Sequence, residues 1–206
     1  MIPVVAAPYP LIFAHRGGGE EAVENSIAAF EHAREIGVTH IETDAQCTAD
    51  GVVVISHDES LDRCYGESGK FSDYTFEELQ EFRNEAGEPP HRLLDVLEMF
   101  PELYFNIDAK TDEVVEPLLD VLEESGASDR VLVASFSEKR LEKVRDLGDA
   151  ELSTSLGVTT IVRLLLASET VSNAESWHVP GPRHGVRAAQ VPEKNKGVRV
   201  VSPRFI

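Results

Sequence analysis

The sequence predicts an α/β fold in which parallel strands alternate with helices. Short apolar runs of strand length alternate with amphipathic segments along the 206 residues, as in a sheet covered by helices. Three early runs end in reactive side chains: His15, the pair Glu42 and Asp44, and His57. Active sites of barrel enzymes lie at the C-terminal ends of strands, so this pattern favours a barrel enzyme. No repeat or linker is evident, and we expect a single domain over residues 1–206.

The elements of the first half follow from apolar periodicity and from residues that begin or end helices. The predicted strands are residues 11–14, 38–44 and 52–57. The predicted helices are residues 24–36, 75–82 and 94–100. Gly37 is expected to end the first helix, and Thr75 with Glu78 forms a capping box at the start of the second. The turn at residues 49–51 separates two strands, and residues 62–73 are predicted to be a loop.

The second half continues the alternation of strands and helices. The predicted strands are residues 104–107, 131–136 and 151–156, followed by short apolar runs at 188–191 and 198–201. The predicted helices are residues 113–124, 138–147 and 160–168, the first ending near Gly126.

The charge of the chain limits its partners. A formal net charge of −18 disfavours binding to nucleic acid or another polyanion. It also favours a halophilic source, because high salt screens the self-repulsion of an acidic protein. The alternative is an ordinary acidic cytosolic protein. The sequence is compatible with a homo-oligomer.

The N-terminal segment and the cysteines bear on location. Apolar residues precede His15, but prolines interrupt them and no basic residue accompanies them, which disfavours a secretory signal. No apolar run reaches transmembrane length. Cys47 and Cys64 lie in no metal-binding spacing and are expected to be reduced thiols. We therefore expect a cytoplasmic protein without an integral membrane segment.

Strand periodicity groups the polar side chains. On a strand, residues two apart face the same side. Glu42 therefore projects with Asp44, and Asp108 projects with Asn106 and Lys110. Polar side chains within apolar strands must face a polar cavity or carry a large desolvation cost. Both groups are thus expected to face a site.

Several motifs, taken in order, resemble those of glycerophosphodiester phosphodiesterases. They are HRG at residues 15–17, ENS at 24–26 with an aromatic residue at 30, E-x-D at 42–44, T-x-D-G at 48–51 and HD at 57–58. Further along, FSDYTFEEL, NIDAK and VLVASFS resemble later segments of the family. The resemblance covers nearly the whole chain. It implies a (β/α)8 TIM-type barrel that hydrolyses glycerophosphodiesters to sn-glycerol 3-phosphate and an alcohol.

The resemblance also implies roles for individual residues. His15 and His57 would be the general acid/base pair, and imidazole suits both proton transfers because its pKa lies near neutrality. Arg16 and Lys110 would bind the phosphate. Asn25 would orient a ligand or His15, or else cap a helix. The residues implied as ligands of a divalent cation, Mg²⁺ or Ca²⁺, are Glu42, Asp44 and Asp108.

The sequence departs from the family pattern at two places, and each departure leads to an expectation. The family usually has Glu where Asp108 stands, so ligation there would be looser or water-mediated. Family members usually continue beyond the final residues with a helix and further strand segments. The resemblance therefore implies a barrel that is incomplete at the C-terminus, because the chain is truncated or because a partner chain completes it.

The mechanism and the function each have an alternative. By analogy, the free glycerol hydroxyl attacks phosphorus to give a cyclic phosphate that water opens, and direct attack by water is the alternative. A phospholipase-D-like relative ranks low, because such proteins are typically secreted and disulfide-bonded. A non-catalytic barrel that binds phosphate or metal is the second alternative, and the complete set of histidine, arginine and carboxylate residues argues against it.

Overall fold

Seven strands form one sheet, and six of them run parallel to one another. The structure of the protein, a computed structural model, describes residues 11–149, 152–168, 170, 174–181, 184–195, 197–202 and 205. The strands are β1 (Phe13–His15), β2 (His40–Cys47), β3 (Val53–Ile55), β4 (Tyr104–Ala109), β5 (Val131–Ala134), β6 (Ser153–Leu156) and β7 (Val186–Ala189). Their order is β1-β2-β4-β5-β6-β7, and β3 pairs with β2 outside this path.

Helices follow or precede the parallel strands. They are α1 (Ile27–Glu35), α2 (Asp62–Tyr65), α3 (Phe76–Leu79), α4 (Leu93–Met99), α5 (Val115–Ser125), α6 (Glu138–Leu147) and α7 (Val158–Ser168). This arrangement is that of part of a (β/α)8 barrel. The predicted α/β fold is confirmed, and within the described residues β1 and β7 lie at the two open ends of the sheet.

Alternation along the strands separates the core from the polar face. Ile41 of β2, with Phe105 and Ile107 of β4, packs into the main cluster of buried apolar residues together with the helices. Glu42 and Asp44 occupy alternate positions to Ile41 and therefore face the opposite side of the sheet. The apolar face holds the helices, and the other face is left for polar groups.

Local capping signals fix several helix ends as the sequence predicts. The hydroxyl of Thr75 accepts a hydrogen bond from the Glu78 backbone N–H, and the Glu78 carboxylate accepts one from the Thr75 N–H. Gly126 ends α5 in the left-handed conformation that favours glycine. Helix α1 begins later than predicted, because Ser26 is its N-cap and Asn25 has a positive φ of 50°.

The predicted strand 52–57 is present as β3, but it does not join the parallel strands that the α/β pattern predicts. β3 pairs antiparallel with β2, with Ala45 opposite Ile55 and Cys47 opposite Val53. The turn at residues 49–51, closed by a hydrogen bond from the Gly51 N–H to the Thr48 carbonyl, folds the chain back as a hairpin. His57 therefore does not stand at the carboxyl end of a parallel barrel strand.

Other boundaries also differ from the predictions. The predicted loop 62–73 contains α2 and a 3₁₀ turn over Phe71–Asp73. Strand β7 lies two residues earlier than the predicted run 188–191. The predicted run 198–201 yields only the two-residue strand β9 (Val198–Arg199), which pairs with β8 (Lys194–Asn195) outside the main sheet. The first residue of the predicted strand 151–156 and residues 1–10 lie outside the described residues.

Candidate active site

Strands β2 and β4 bring the predicted carboxylates together. Their parallel register sets Asp44 opposite Asp108. The ammonium Nζ of Lys110 lies between these two side chains, 2.6 Å from Asp44 Oδ1 and 2.7 Å from Asp108 Oδ2. Lys110 thus forms an ion pair with both Asp44 and Asp108.

Burial sets the protonation behaviour of this cluster. Burial, with the charge of Asp44 as the next cause, raises the pKa of Glu42 to about 7. Burial also raises the pKa of Asp108, although hydrogen bonding to Lys110 opposes the rise. For Lys110, burial opposes the charged form, but the carboxylates of Asp108 and Asp44 outweigh it and raise its pKa. The cluster therefore contains more carboxylates, from Glu42, Asp44 and Asp108, than positively charged groups.

The segment after β1 carries His15 and Arg16 to the same place. Arg16 has a positive φ of 53°, and its backbone N–H donates a hydrogen bond of 3.1 Å to Glu42 Oε2. The His15 Nε2 atom lies 3.8 Å from the same Glu42 oxygen, and its side chain is 73% exposed. The imidazole is thus open to solvent on one side and close to a carboxylate on the other.

A glycine fixes how this segment packs. Gly17 has a φ of +81°, and a Cβ atom there would lie 2.5 Å from the buried ring of Phe30 on α1. Only glycine tolerates both conditions. Gly17 therefore allows helix α1 to pack directly against the segment that holds His15 and Arg16. No close neighbour restricts Gly18 in the same way.

The Arg16 guanidinium is held by acids. Nη1 donates to both oxygens of Glu24 at 3.0 and 3.1 Å, and Nε lies 3.7 Å from Asp44 Oδ2. Hydrogen bonds and charge from Arg63 and Arg16 lower the pKa of Glu24 in spite of burial, which raises it. The structure therefore places the predicted phosphate ligand at the site, in contact with Glu24.

Asn25 supports a carboxylate and does not cap the helix. Its Nδ2 donates a hydrogen bond of 3.0 Å to Asp44 Oδ2, and its Oδ1 accepts one of 2.8 Å from Thr43. These contacts fix the Asp44 carboxylate, whose other oxygen meets Lys110. The alternative in which Asn25 caps the helix is wrong, because Ser26 is the N-cap of α1.

His57 reaches the site through the β2–β3 hairpin. The N–H of Ser56 donates to the Asp44 carbonyl at 3.0 Å, which sets the end of β3 beside the carboxylate strand. His57 Nδ1 lies 2.6 Å from Asp58 Oδ1. Since an ionised carboxylate only accepts hydrogen bonds, Nδ1 carries the proton, and Nε2 is the nitrogen left for proton transfer.

Sequence reasoning gave no role to three charged residues that complete the site. Arg63 on α2 donates to Asp58 through Nε at 2.5 Å and to Glu24 through Nη1 and Nη2 at 2.9 and 2.7 Å. Hydrogen bonding from Arg63, followed by that from His57, lowers the pKa of Asp58 to about 2 in spite of burial. The HD and ENS motifs contain the two acids, but Arg63 lay in the predicted loop.

The donor chemistry of the carboxylates fits a hard divalent cation. Asp108 Oδ1 is buried and has no hydrogen-bond partner, and Glu42 faces more negative than positive charge. In the part of the chain that the structure describes, no group of three His, Cys, Asp or Glu side chains stands in a metal-binding arrangement. The Lys110 ammonium lies between two of the three predicted ligands.

No helix among the described residues has the length and apolar character needed to cross a membrane.

Comparisons with known proteins identify the family of the chain. The model of the glycerophosphoryl diester phosphodiesterase family matches residues 15–204. A relative from Mycobacterium tuberculosis, "Probable glycerophosphodiester phosphodiesterase 2", is 32% identical over 194 residues, which cover 94% of this chain and 72% of that protein.

Two solved structures resemble the chain. The glycerophosphoryl diester phosphodiesterase domain of a Mycobacterium tuberculosis protein has a TM-score of 0.72 at 20% identity, covering 82% of this chain and 67% of that one. A phosphodiesterase from Oleispira antarctica, solved in complex with the product sn-glycerol-3-phosphate, has a TM-score of 0.67 at 25% identity, covering 71% of this chain and 65% of that one. The TIM-type fold expected from the motifs is thereby confirmed. The chain belongs to the glycerophosphoryl diester phosphodiesterase family, whose members are phosphoric diester hydrolases.

Proposed function

We propose that the protein hydrolyses glycerophosphodiesters to sn-glycerol 3-phosphate and an alcohol, with a divalent cation as cofactor. One observation carries the proposal: two histidines, two basic side chains and three carboxylates converge at one edge of the sheet. They are His15 and His57, Arg16 and Lys110, and Glu42, Asp44 and Asp108. The names of the relatives, and the product bound to the Oleispira antarctica phosphodiesterase, support the same substrate class.

The two histidines would divide the proton transfers. The Nδ1–H of His57 is held by Asp58 at 2.6 Å, which leaves Nε2 to exchange a proton with the substrate. His15 is open to solvent, and its Nε2 lies 3.8 Å from a Glu42 oxygen, so it can reach a substrate from the solvent side of the site. One imidazole would take the proton of the attacking hydroxyl, and the other would give a proton to the departing alcohol oxygen.

Arg16 and Lys110 would bind the phosphate. A guanidinium offers parallel donors to two phosphate oxygens, while an ammonium acts as a point charge. The Arg16 guanidinium already contacts an anionic group, because its Nη1 donates to both oxygens of Glu24. Substrate binding would therefore exchange a carboxylate for a phosphate at the Arg16 guanidinium.

Glu42, Asp44 and Asp108 would hold the cation. Three carboxylates select a hard ion, so Mg²⁺ or Ca²⁺ suits them better than Zn²⁺. The buried, unpartnered Asp108 oxygen supports this assignment. When bound, the cation would polarise the phosphate and offset the charge that develops on it.

We further propose a route through a cyclic phosphate. The free glycerol hydroxyl next to the ester attacks phosphorus, its proton passes to one imidazole, and the alcohol leaves with a proton from the other. Water then opens the ring to give sn-glycerol 3-phosphate. A deoxy analogue without this hydroxyl should not be turned over, and full turnover of the analogue would favour direct attack by water.

The test is release of glycerol phosphate from glycerophosphocholine and glycerophosphoethanolamine. We expect turnover with Mg²⁺ or Ca²⁺ and loss of turnover in EDTA, restored by adding the ion back. Turnover that persists in EDTA would contradict the cofactor assignment. No turnover of either diester by folded protein, with any ion, would contradict the proposed function.

The charge of −18 leads to a prediction about salt. We propose that the protein comes from a halophilic source, because high salt would screen its self-repulsion. The free energy of unfolding, measured with urea across a salt series, should rise between low and molar KCl. A flat or falling series would contradict a halophilic source.

A further inference from the structure

Arg63 joins two parts of the candidate site that are far apart in sequence. It lies on the short helix α2, within the segment that connects β3 to α3. Its Nε atom donates to Asp58, which holds His57, and its two terminal nitrogens donate to Glu24, which holds Arg16. One guanidinium thus contacts both acids that orient the proposed catalytic and phosphate-binding side chains.

All three nitrogens of Arg63 have carboxylate partners. The contacts to Glu24 form a fork, the geometry in which a guanidinium gives the most specific orientation. Removal of Arg63 would free the Asp58 carboxylate to rotate away from His57 Nδ1. It would also leave Glu24 with Arg16 as its remaining guanidinium partner, and so bind Arg16 more closely to the acid.

We propose that Arg63 is a positioning residue that aligns His57 through Asp58 and keeps Arg16 available for phosphate through Glu24. This inference rests on the proposed function and extends it to a residue that would not touch the substrate. The two connections should affect different kinetic constants. Misalignment of His57 lowers kcat, whereas a guanidinium retained by Glu24 raises KM.

Arg63 is expected to contribute little to the free energy of unfolding. The Arg63 side chain is 48% exposed, and each of its acids keeps a second partner, Arg16 for Glu24 and His57 for Asp58, so loss of this half-exposed guanidinium should cost little folding free energy. Substitution of Arg63 should therefore leave the urea midpoint close to that of the wild type. Its effect on turnover would then report alignment and not loss of structure.

The kinetic test compares Arg63→Ala with variants of each connection. We expect Arg63→Ala to lower kcat by about 10- to 100-fold, the scale of a small misplacement of a catalytic group, and to raise KM. Asp58→Asn should lower kcat alone, and Glu24→Gln should mainly alter KM. The double variant Arg63→Ala/Asp58→Asn should have a kcat no lower than the worse single variant, because both changes act on the same imidazole.

Two further variants serve as controls. Arg63→Lys keeps the charge but cannot contact both acids in the same geometry, so it should restore turnover only in part. Lys70→Ala removes an exposed ion pair with Glu59 in the same segment and should leave kcat and KM unchanged. Wild-type constants for Arg63→Ala, or multiplicative losses in the double variant, would overturn the proposal.

A spectroscopic test needs no turnover and separates this proposal from the proposed function. In ¹⁵N-histidine spectra near pH 8, where imidazole is neutral, His57 of the wild type should carry its proton on Nδ1. The His57→Asn variant identifies its signals. Arg63→Ala should give a mixture of tautomers at His57. An unchanged tautomer would overturn the positioning role, whereas inactivity of the wild type towards glycerophosphodiesters would overturn only the proposed function.

Discussion

Replacing His57 by alanine should lower kcat by about 10²- to 10⁴-fold, the usual contribution of a general acid or base. His15→Ala should have an effect of the same size, because hydrolysis needs both a proton acceptor and a proton donor. Neither change should abolish binding of sn-glycerol 3-phosphate, since the proposed phosphate ligands Arg16 and Lys110 remain. Steady-state turnover of glycerophosphocholine and product binding by calorimetry would measure the two effects separately.

His32 provides the matched control for both histidines. It is a surface residue on α1, and its Nε2 lies 2.8 Å from Glu21, outside the carboxylate cluster. His32→Ala should leave kcat and KM unchanged. Equal losses in all three variants would indicate a general effect on folding, and full activity of His57→Ala would contradict the proposed pair.

The grouping of the carboxylates was predictable because it depends on strand geometry alone. Glu42 and Asp44 are two apart within an apolar run, and so are Asp108 and Lys110. Once both runs are strands of one parallel sheet, their register opposes Asp44 and Asp108. The helix ends at Thr75 and Gly126 were predictable for a similar reason, since capping depends on residues within one turn.

The direction of β3 was missed although the sequence contained a signal for it. An Asp-Gly pair between two apolar runs favours a hairpin, and Asp50-Gly51 stands there. The regular alternation of strands and helices predicts a parallel sheet, and β3 is the exception to it. The error matters for His57, which reaches the site on a returning strand.

The network around Arg63 could not be predicted, because its partners meet only in the folded chain. Glu24 and Arg63 are separated by 39 positions, and no periodicity relates a helix start to a residue in a connecting segment. The same holds for Asn25, whose contact with Asp44 depends on its positive φ and on the late start of α1. Side-chain networks of this kind follow from packing and not from local pattern.

Lys110→Met should destabilise the protein by about 3–5 kcal/mol at neutral pH, the usual cost of removing one partner from a buried ion pair. The side chain of Lys110 is 15% exposed, and those of Asp44 and Asp108 are 2% and 9% exposed. Without Lys110, both carboxylates would remain buried beside Glu42 without their closest cation. Urea unfolding followed by circular dichroism would measure the loss.

The free energy of unfolding lost in Lys110→Met should depend on pH and on added divalent cation. The direction of each dependence identifies the cause of the loss. Burial already raises the pKa of Asp108, and removal of Lys110 should raise it further above its unfolded value. The penalty for the charged form is then complete above the folded pKa and disappears as pH falls below the unfolded one, near 4. The difference in free energy of unfolding between variant and wild type should therefore shrink between pH 7 and pH 4.

Millimolar Mg²⁺ should also reduce this difference, because the three carboxylates could then bind a cation in place of the ammonium. Lys143→Met, which removes an exposed pair with Glu116, should leave stability unchanged at every pH. A loss in Lys110→Met that is independent of both pH and Mg²⁺ would show that the side chain contributes packing and not charge.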